Sequence, residues 1–173
     1  MLRILVSFLF IAGFAGAAVP AALAAGTAGT WVWPVTGPII RGFDPPDSPY
    51  GSGHRGIDVA APAGTRAVAP AAGTVTFAGP VGGRLFLTLD HGGGLTSTFS
   101  WVSALLVRRG DAVVAGQPVA LTGGCHPGDV EPCLHFGVRL DGVYQDPMAY
   151  LGALEVWRLI RLAPFEGAVV AAA

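Results

Sequence analysis

Apolar and polar positions alternate through the middle of the chain with a period near two, the period of a half-buried strand. The segments "GTVTFAG" (73–79), "GRLFLTLDHGG" (83–93), "GLTSTFSWV" (94–102), "DAVVAGQPVALTG" (111–123) and "CLHFGVRLDG" (133–142) each read as a short strand bounded by Gly, Asp or Pro. Punctuation this frequent leaves no room for helices of useful length. The pattern predicts an all-β fold, an antiparallel β-sheet or sandwich shaped to leave a groove. The stretch "WVWPVTGPIIRGFDPPDSPYGSG", from Trp31, is rich in Pro and Gly and reads as non-helical. Only "DPMAYLGALEVWRLIRLAPFEG" suits a helix, a short amphipathic C-terminal tail whose arginines and Pro164 argue against a membrane span.

The first residues follow a different pattern. Arg3 precedes an apolar run from Ile4 to Ala18, and Ala22-Leu23-Ala24 has the small-x-small form of a signal peptidase site. The expectation is a signal peptide over 1–24, a linker over 25–30, one domain over 31–151 and a tail over 152–173. A membrane anchor is the alternative, but Gly13, Gly16 and Pro20 interrupt the run and no charged flank stops it. The exported form would be located in the cell envelope or outside the cell.

Composition removes two function classes. The ten basic residues are all Arg, and eleven Asp and Glu outnumber them, for a net charge of −1. That is no footprint for nucleic acid. The hairpin "GDAVVAGQPVAL" resembles that of biotinyl and lipoyl carrier domains, but without a single Lys the chain cannot carry either group. Mean hydropathy is +0.58, which reflects the leader and an Ala-rich body.

Candidate chemistry gathers in two places. In "GSGHRGIDVAAPAG", His54 and Asp58 are four apart; on an extended strand they face the same side, with Gly56 leaving room between them. In "PCLHFGVRL", Cys133, His135, Gly137 and Arg139 share one strand face, while Leu134, Phe136 and Val138 form an apolar one. His54, Asp58 and His135 would supply two nitrogens and a carboxylate, a common shell for catalytic zinc with a fourth position open to water. Cys125 and Cys133 bracket "CHPGDVEPC", and in an exported chain the pair favours a disulfide. Ligation of zinc by a Cys133 thiolate remains the alternative.

The ordered motifs resemble the lysostaphin-type (LytM) zinc endopeptidases, which cut peptide cross-links in bacterial cell walls. "WPVTGPIIRGF" is similar to the family's opening strand and "HRGIDVAAPAGT" to its His-x-x-x-Asp metal motif. "AVAPAAGTVTFAG", "LDHGGGLTSTFSWVSALLVRRGDAVVAGQPVALTG" and "CLHFGVRLDGVYQDPMAYL" follow in the family's order, covering Trp31 to Leu151. The resemblance implies a β-sheet groove with zinc held by His54, Asp58 and His135.

Two departures stand out. The family's closing His-x-His here begins with Cys133, and its central Tyr-x-His falls on "FSW", with Phe99 and Trp101. Both helper histidines that the resemblance implies are thus replaced. General acid–base help is typically worth about 10²–10⁴-fold. A bonded Cys133 cannot give it, and the Trp101 indole N–H can donate a hydrogen bond but accepts no proton. Of the remaining histidines, His91 reads as structural, while His126, inside the Cys-bracketed loop, is the one candidate substitute base. The expectation is a protein that keeps its zinc ligands, hydrolyses weakly or not at all, and binds wall peptides or regulates a cell-wall hydrolase. The alternative is an active zinc-dependent endopeptidase on peptidoglycan cross-link peptides.

Overall fold

The computed structural model describes residues 30–48, 51–126 and 131–152. The expected signal peptide, nearly all of the linker and the tail beyond Gly152 lie outside the described residues; the start of the expected helix, Asp146 to Gly152, forms a 3-10 turn and a bridge to Trp31 instead. Among the described residues, ten strands join in one hydrogen-bonded system: β1 (Ile39–Arg41), β2 (Ile57–Ala60), β3 (Arg66–Val68), β4 (Gly73–Val81), β5 (Arg84–Asp90), β6 (Leu95–Leu105), β7 (Ala112–Val113), β8 (Pro118–Thr122), β9 (Cys133–Leu140) and β10 (Val143–Gln145). The principal order is β1-β2-β9-β6-β5-β4-β7, with β10 beside β9 and β8 joining β3 to β6. Every pair of named strands is antiparallel. This is the all-β, grooved architecture the alternation predicts. The only helical turn among the described residues is a 3-10 turn at Pro147–Ala149.

Alternation places the core. Leu87 and Leu89 of β5, Phe99 of β6 and Leu134, Phe136 and Val138 of β9 are all fully buried. They pack with Ile57, Val59, Val75 and Val119 in one cluster. The rings of Phe99 and Phe136, opposite each other in the ladder, meet edge to face with centroids 5.3 Å apart. Burial of each such side chain contributes about 1.5–3 kcal/mol. The two ends of the domain are tied as well. Trp31 forms a parallel bridge with Leu151, with hydrogen bonds from Trp31 N to Tyr150 O (3.0 Å) and Gly152 N to Trp31 O (2.8 Å).

Strand β6 changes partner halfway. Residues 95–100 pair with β9, whereas Val102 to Leu105 pair with β8. At the change, Leu85 opposes Val102 and Phe86 opposes Ser100, so Trp101 is left as an extra residue. Its φ of 56° is in the left-handed region, uncommon for a bulky residue. The bulge bends the strand and turns the Trp101 side chain into the groove.

His91 is structural in this fold. Fully buried, it donates from Nδ1 to Ala72 O and accepts at Nε2 from Ser97 Oγ, both at 2.8 Å, and packs 4.6 Å from the Trp31 ring. Burial lowers its imidazole below the ordinary value, against the opposing pull of Ala72 O and Asp90. The unfolded chain therefore takes up a proton that the folded chain resists. The His91 contribution is fully present above about pH 6.5 and is lost as pH falls below it. Urea unfolding of metal-free protein should show stability declining on acidification through that range, with a shallower decline in His91→Gln. Equal slopes in the two proteins would contradict this role.

Candidate metal centre

Three adjacent strands present one row of polar side chains. Asp58 of β2 opposes His135 of β9, which in turn opposes Ser100 of β6. His54 arrives differently from the sequence expectation. It lies outside β2, in an isolated bridge with Asp44, and the chain bends at Arg55 and Gly56 before β2 begins. His54 and Asp58 thus converge through a bend, not through alternation on one strand. Gly56 is needed at that bend: a Cβ there would collide with the Phe136 carbonyl and lie 3.0 Å from His135 Nε2.

The donors crowd together. His54 Nε2 is 3.1 Å from Asp58 Oδ2 and 3.0 Å from His135 Nδ1, while His135 Nδ1 is 2.8 Å from Asp58 Oδ1. His126 joins them, its Nε2 3.1 Å from His54 Nε2 and 3.2 Å from both His135 Nδ1 and Asp58 Oδ2. His54 Nδ1 donates to Gly42 O at 2.6 Å, which leaves a lone pair on Nε2 of the neutral ring. That lone pair faces Asp58 Oδ2, which is buried and accepts no hydrogen bond of good geometry. Hydrogen bonding serves this arrangement poorly, whereas a cation would satisfy it. Nitrogen and oxygen ligands at about 2.0–2.1 Å around tetrahedral zinc stand roughly 3.3 Å from one another, close to these spacings. The residues therefore fit a zinc ion.

Electrostatics agree with the crowding. Burial works to raise the Asp58 carboxyl, but the hydrogen bond and charge of His135, followed by His54 and His126, hold it below its ordinary value. Burial lowers the His126 imidazole despite the opposing charge of Asp58, and His135, His54 and Arg41 add to the lowering.

The two replaced positions lie beside the cluster. Trp101 packs its ring 4.1 Å from that of His126 and 5.5 Å from that of His135. Phe99 is buried in the core, its ring against that of Phe136. Cys133 is bonded to Cys125, with Cα atoms 5.1 Å apart, and both are buried. In front of the cluster is a groove of about 300 Å³, whose walls include Phe86, Trp101, Arg55, Arg139 and Tyr144. The Arg139 guanidinium lies 4.2 Å over the Tyr144 ring and hydrogen-bonds its hydroxyl. Sequence reasoning placed Arg139 on the polar face of β9 but missed Arg55, Phe86, Ser100 and Tyr144 as groove residues.

This geometry coincides with a family match. The profile of peptidase family M23 matches residues 52–147. The chain belongs to peptidase family M23. It is similar to the murein hydrolase activator NlpD of Escherichia coli, 32% identical over 124 residues, 70% of this chain and 31% of NlpD. Among solved structures it is similar to a zinc-containing peptidase from Vibrio cholerae (TM-score 0.59, 28% identity, 69% of this chain and 39% of that one). It is also similar to the catalytic domain of the antimicrobial peptidase lysostaphin from Staphylococcus simulans (TM-score 0.53, 27% identity, 62% and 86%). The M23 chain described here spans about a third to a half of the length of the curated relatives it matches.

The Cys125–Cys133 bridge closes a short loop onto β9, and the chain-entropy account gives such a loop about 2–3 kcal/mol. Replacing both cysteines by Ser should lower unfolding stability by about that amount in urea titrations. Unchanged stability, or two free thiols in non-reduced protein by mass spectrometry, would remove the bridge from the account.

Proposed function

We propose that this M23 protein holds one zinc ion through His54, Asp58 and His135, and binds peptidoglycan peptides in its groove without efficient hydrolysis. On this reading it is an exported envelope protein, with residues 1–24 removed, 25–30 as linker, 31–151 as the working domain and 152–173 as a tail. It acts as a wall-binding module or as a regulator of a cell-wall hydrolase. The similarity to NlpD, a murein hydrolase activator, supports the regulatory role.

The observation that carries the proposal is what faces the donor cluster. Bound zinc would supply Lewis acidity and a lowered pKa for water. Peptide hydrolysis also needs a group that takes a proton and later returns it. Trp101 accepts none, the disulfide sulfur of Cys133 does not titrate, and the His126 Nε2 is engaged with the donors. Besides the three clustered histidines, the described residues lining the groove are Gly53, Arg55, Phe86, Thr98, Ser100, Trp101, Gly137, Arg139 and Tyr144; they add no imidazole or carboxylate, and the Tyr144 hydroxyl is taken up by a hydrogen bond from Arg139. The groove still suits a peptide. Phe86 and Trp101 offer apolar surface, and Arg55 and Arg139 offer partners for a carboxylate.

Elemental analysis is expected to find one zinc per chain, lost on replacing His54, Asp58 or His135 with Ala. Zinc-loaded wild type should sediment with insoluble peptidoglycan yet release little or no peptide from it. Absence of bound zinc would end the metal reading. Zinc-dependent release of wall peptides, abolished by His135→Ala, would establish the active endopeptidase instead.

A further inference from the structure

We propose that His126 is a fourth protein ligand that closes the metal centre, with the Cys125–Cys133 bridge and Trp101 holding it in place. The proposal rests on the zinc reading above and goes beyond its three ligands. His54, Asp58 and His135 alone leave one side of the cluster open to the groove. His126 Nε2 stands on that side, 3.1–3.2 Å from a donor atom of each of the other three residues. The distances among those three are 2.8–3.1 Å. A loop histidine serving only as a solvated side chain, or as a base reaching into the groove, has no reason to be equidistant from all three.

The chain before and after His126 is fixed to match. The backbone passes so close to the bulge in β6 that a Cβ at Gly123 would lie 2.7 Å from Trp101 O and Ser103 N. Gly124 N then donates to Trp101 O at 3.2 Å. The next residue, Cys125, is covalently tied to Cys133, two residues before His135 on β9. His126 therefore faces His135 across the cluster, and the Trp101 ring packs edge to face against it. The residue at one helper position thus buttresses His126, and the residue at the other anchors its loop. With four protein ligands a zinc site is closed and structural in character, with no vertex left for water.

The test uses the full chain loaded with cobalt(II) or zinc. Wild type is expected to show the intense visible absorption of four-coordinate cobalt. His126→Ala should weaken that absorption as water enters, and should lower zinc affinity at least tenfold in chelator competition. His126→Gly, with its far-ultraviolet circular dichroism unchanged, should regain the wild-type spectrum on adding imidazole. Unchanged affinity and spectrum in His126→Ala would overturn the proposal. So would a loss that imidazole cannot restore, which would assign His126 to the fold. Failure of wild type to take up either metal would remove the underlying zinc reading, whereas a His126→Ala protein that binds like wild type removes this inference alone.

Discussion

The Asp58 carboxylate is buried among three imidazole nitrogens at 2.8–3.2 Å, with one oxygen that accepts no good hydrogen bond. A buried charge left without compensation costs several kcal/mol, so this arrangement needs either a cation or a compensating set of protons. The surrounding structure constrains it further. His54 is oriented by Gly42 O, Asp58 and His135 are neighbours in the β2–β9 ladder, and His126 is brought in by a disulfide-tied loop. A donor set assembled from four separate stretches of chain is stable only because the sheet behind it is rigid.

That rigidity comes from the apolar side of the same strands. Phe136 and Leu134 flank His135 in sequence and are fully buried, while Ile57 and Val59 flank Asp58 in the same way. Each of these two strand donors is thus placed between two anchors on the opposite face, and register errors of one residue would exchange core and site. Strand β6 contributes by bending. Its bulge at Trp101 lets one strand serve both β9 and β8, and it sends a large aromatic side chain against the donors.

Much of this was legible in the sequence. Period-two alternation located β4, β5, β6 and β9, because each has one face in the core; the single strand expected over 111–123 is instead two, β7 and β8, parted by a turn at Ala115-Gly116 and paired with different neighbours. The short strands β1, β3 and β10 were not located, since three residues carry no usable period. A hairpin signal for β10 was nonetheless present in Asp141-Gly142, a turn dipeptide with both φ values positive, and with it Tyr144 would have been placed beside Arg139. His54 and Asp58 were paired for the wrong local reason, because a bend at Gly56 cannot be distinguished from a strand by spacing alone. His126 was legible as a histidine within reach of the groove. Its distances to three donors depend on the disulfide and on the Trp101 bulge, and neither geometry can be read from residue order. Ser100, Arg55 and Phe86 were missed because nothing in their local pattern separates a groove wall from an ordinary sheet face.

Membership of peptidase family M23 and the occupation by Trp101 and Cys133 of the two positions where the resemblance implies helper histidines point in different directions, and the coordination of the metal is where they meet. Zinc K-edge X-ray absorption on zinc-loaded, oxidised wild-type protein addresses this most directly. The account predicts a four-coordinate centre with the outer-shell scattering of three imidazoles and one carboxylate oxygen. Scattering from only two imidazoles, with an additional water-like oxygen, would show an open hydrolase-type site and contradict it.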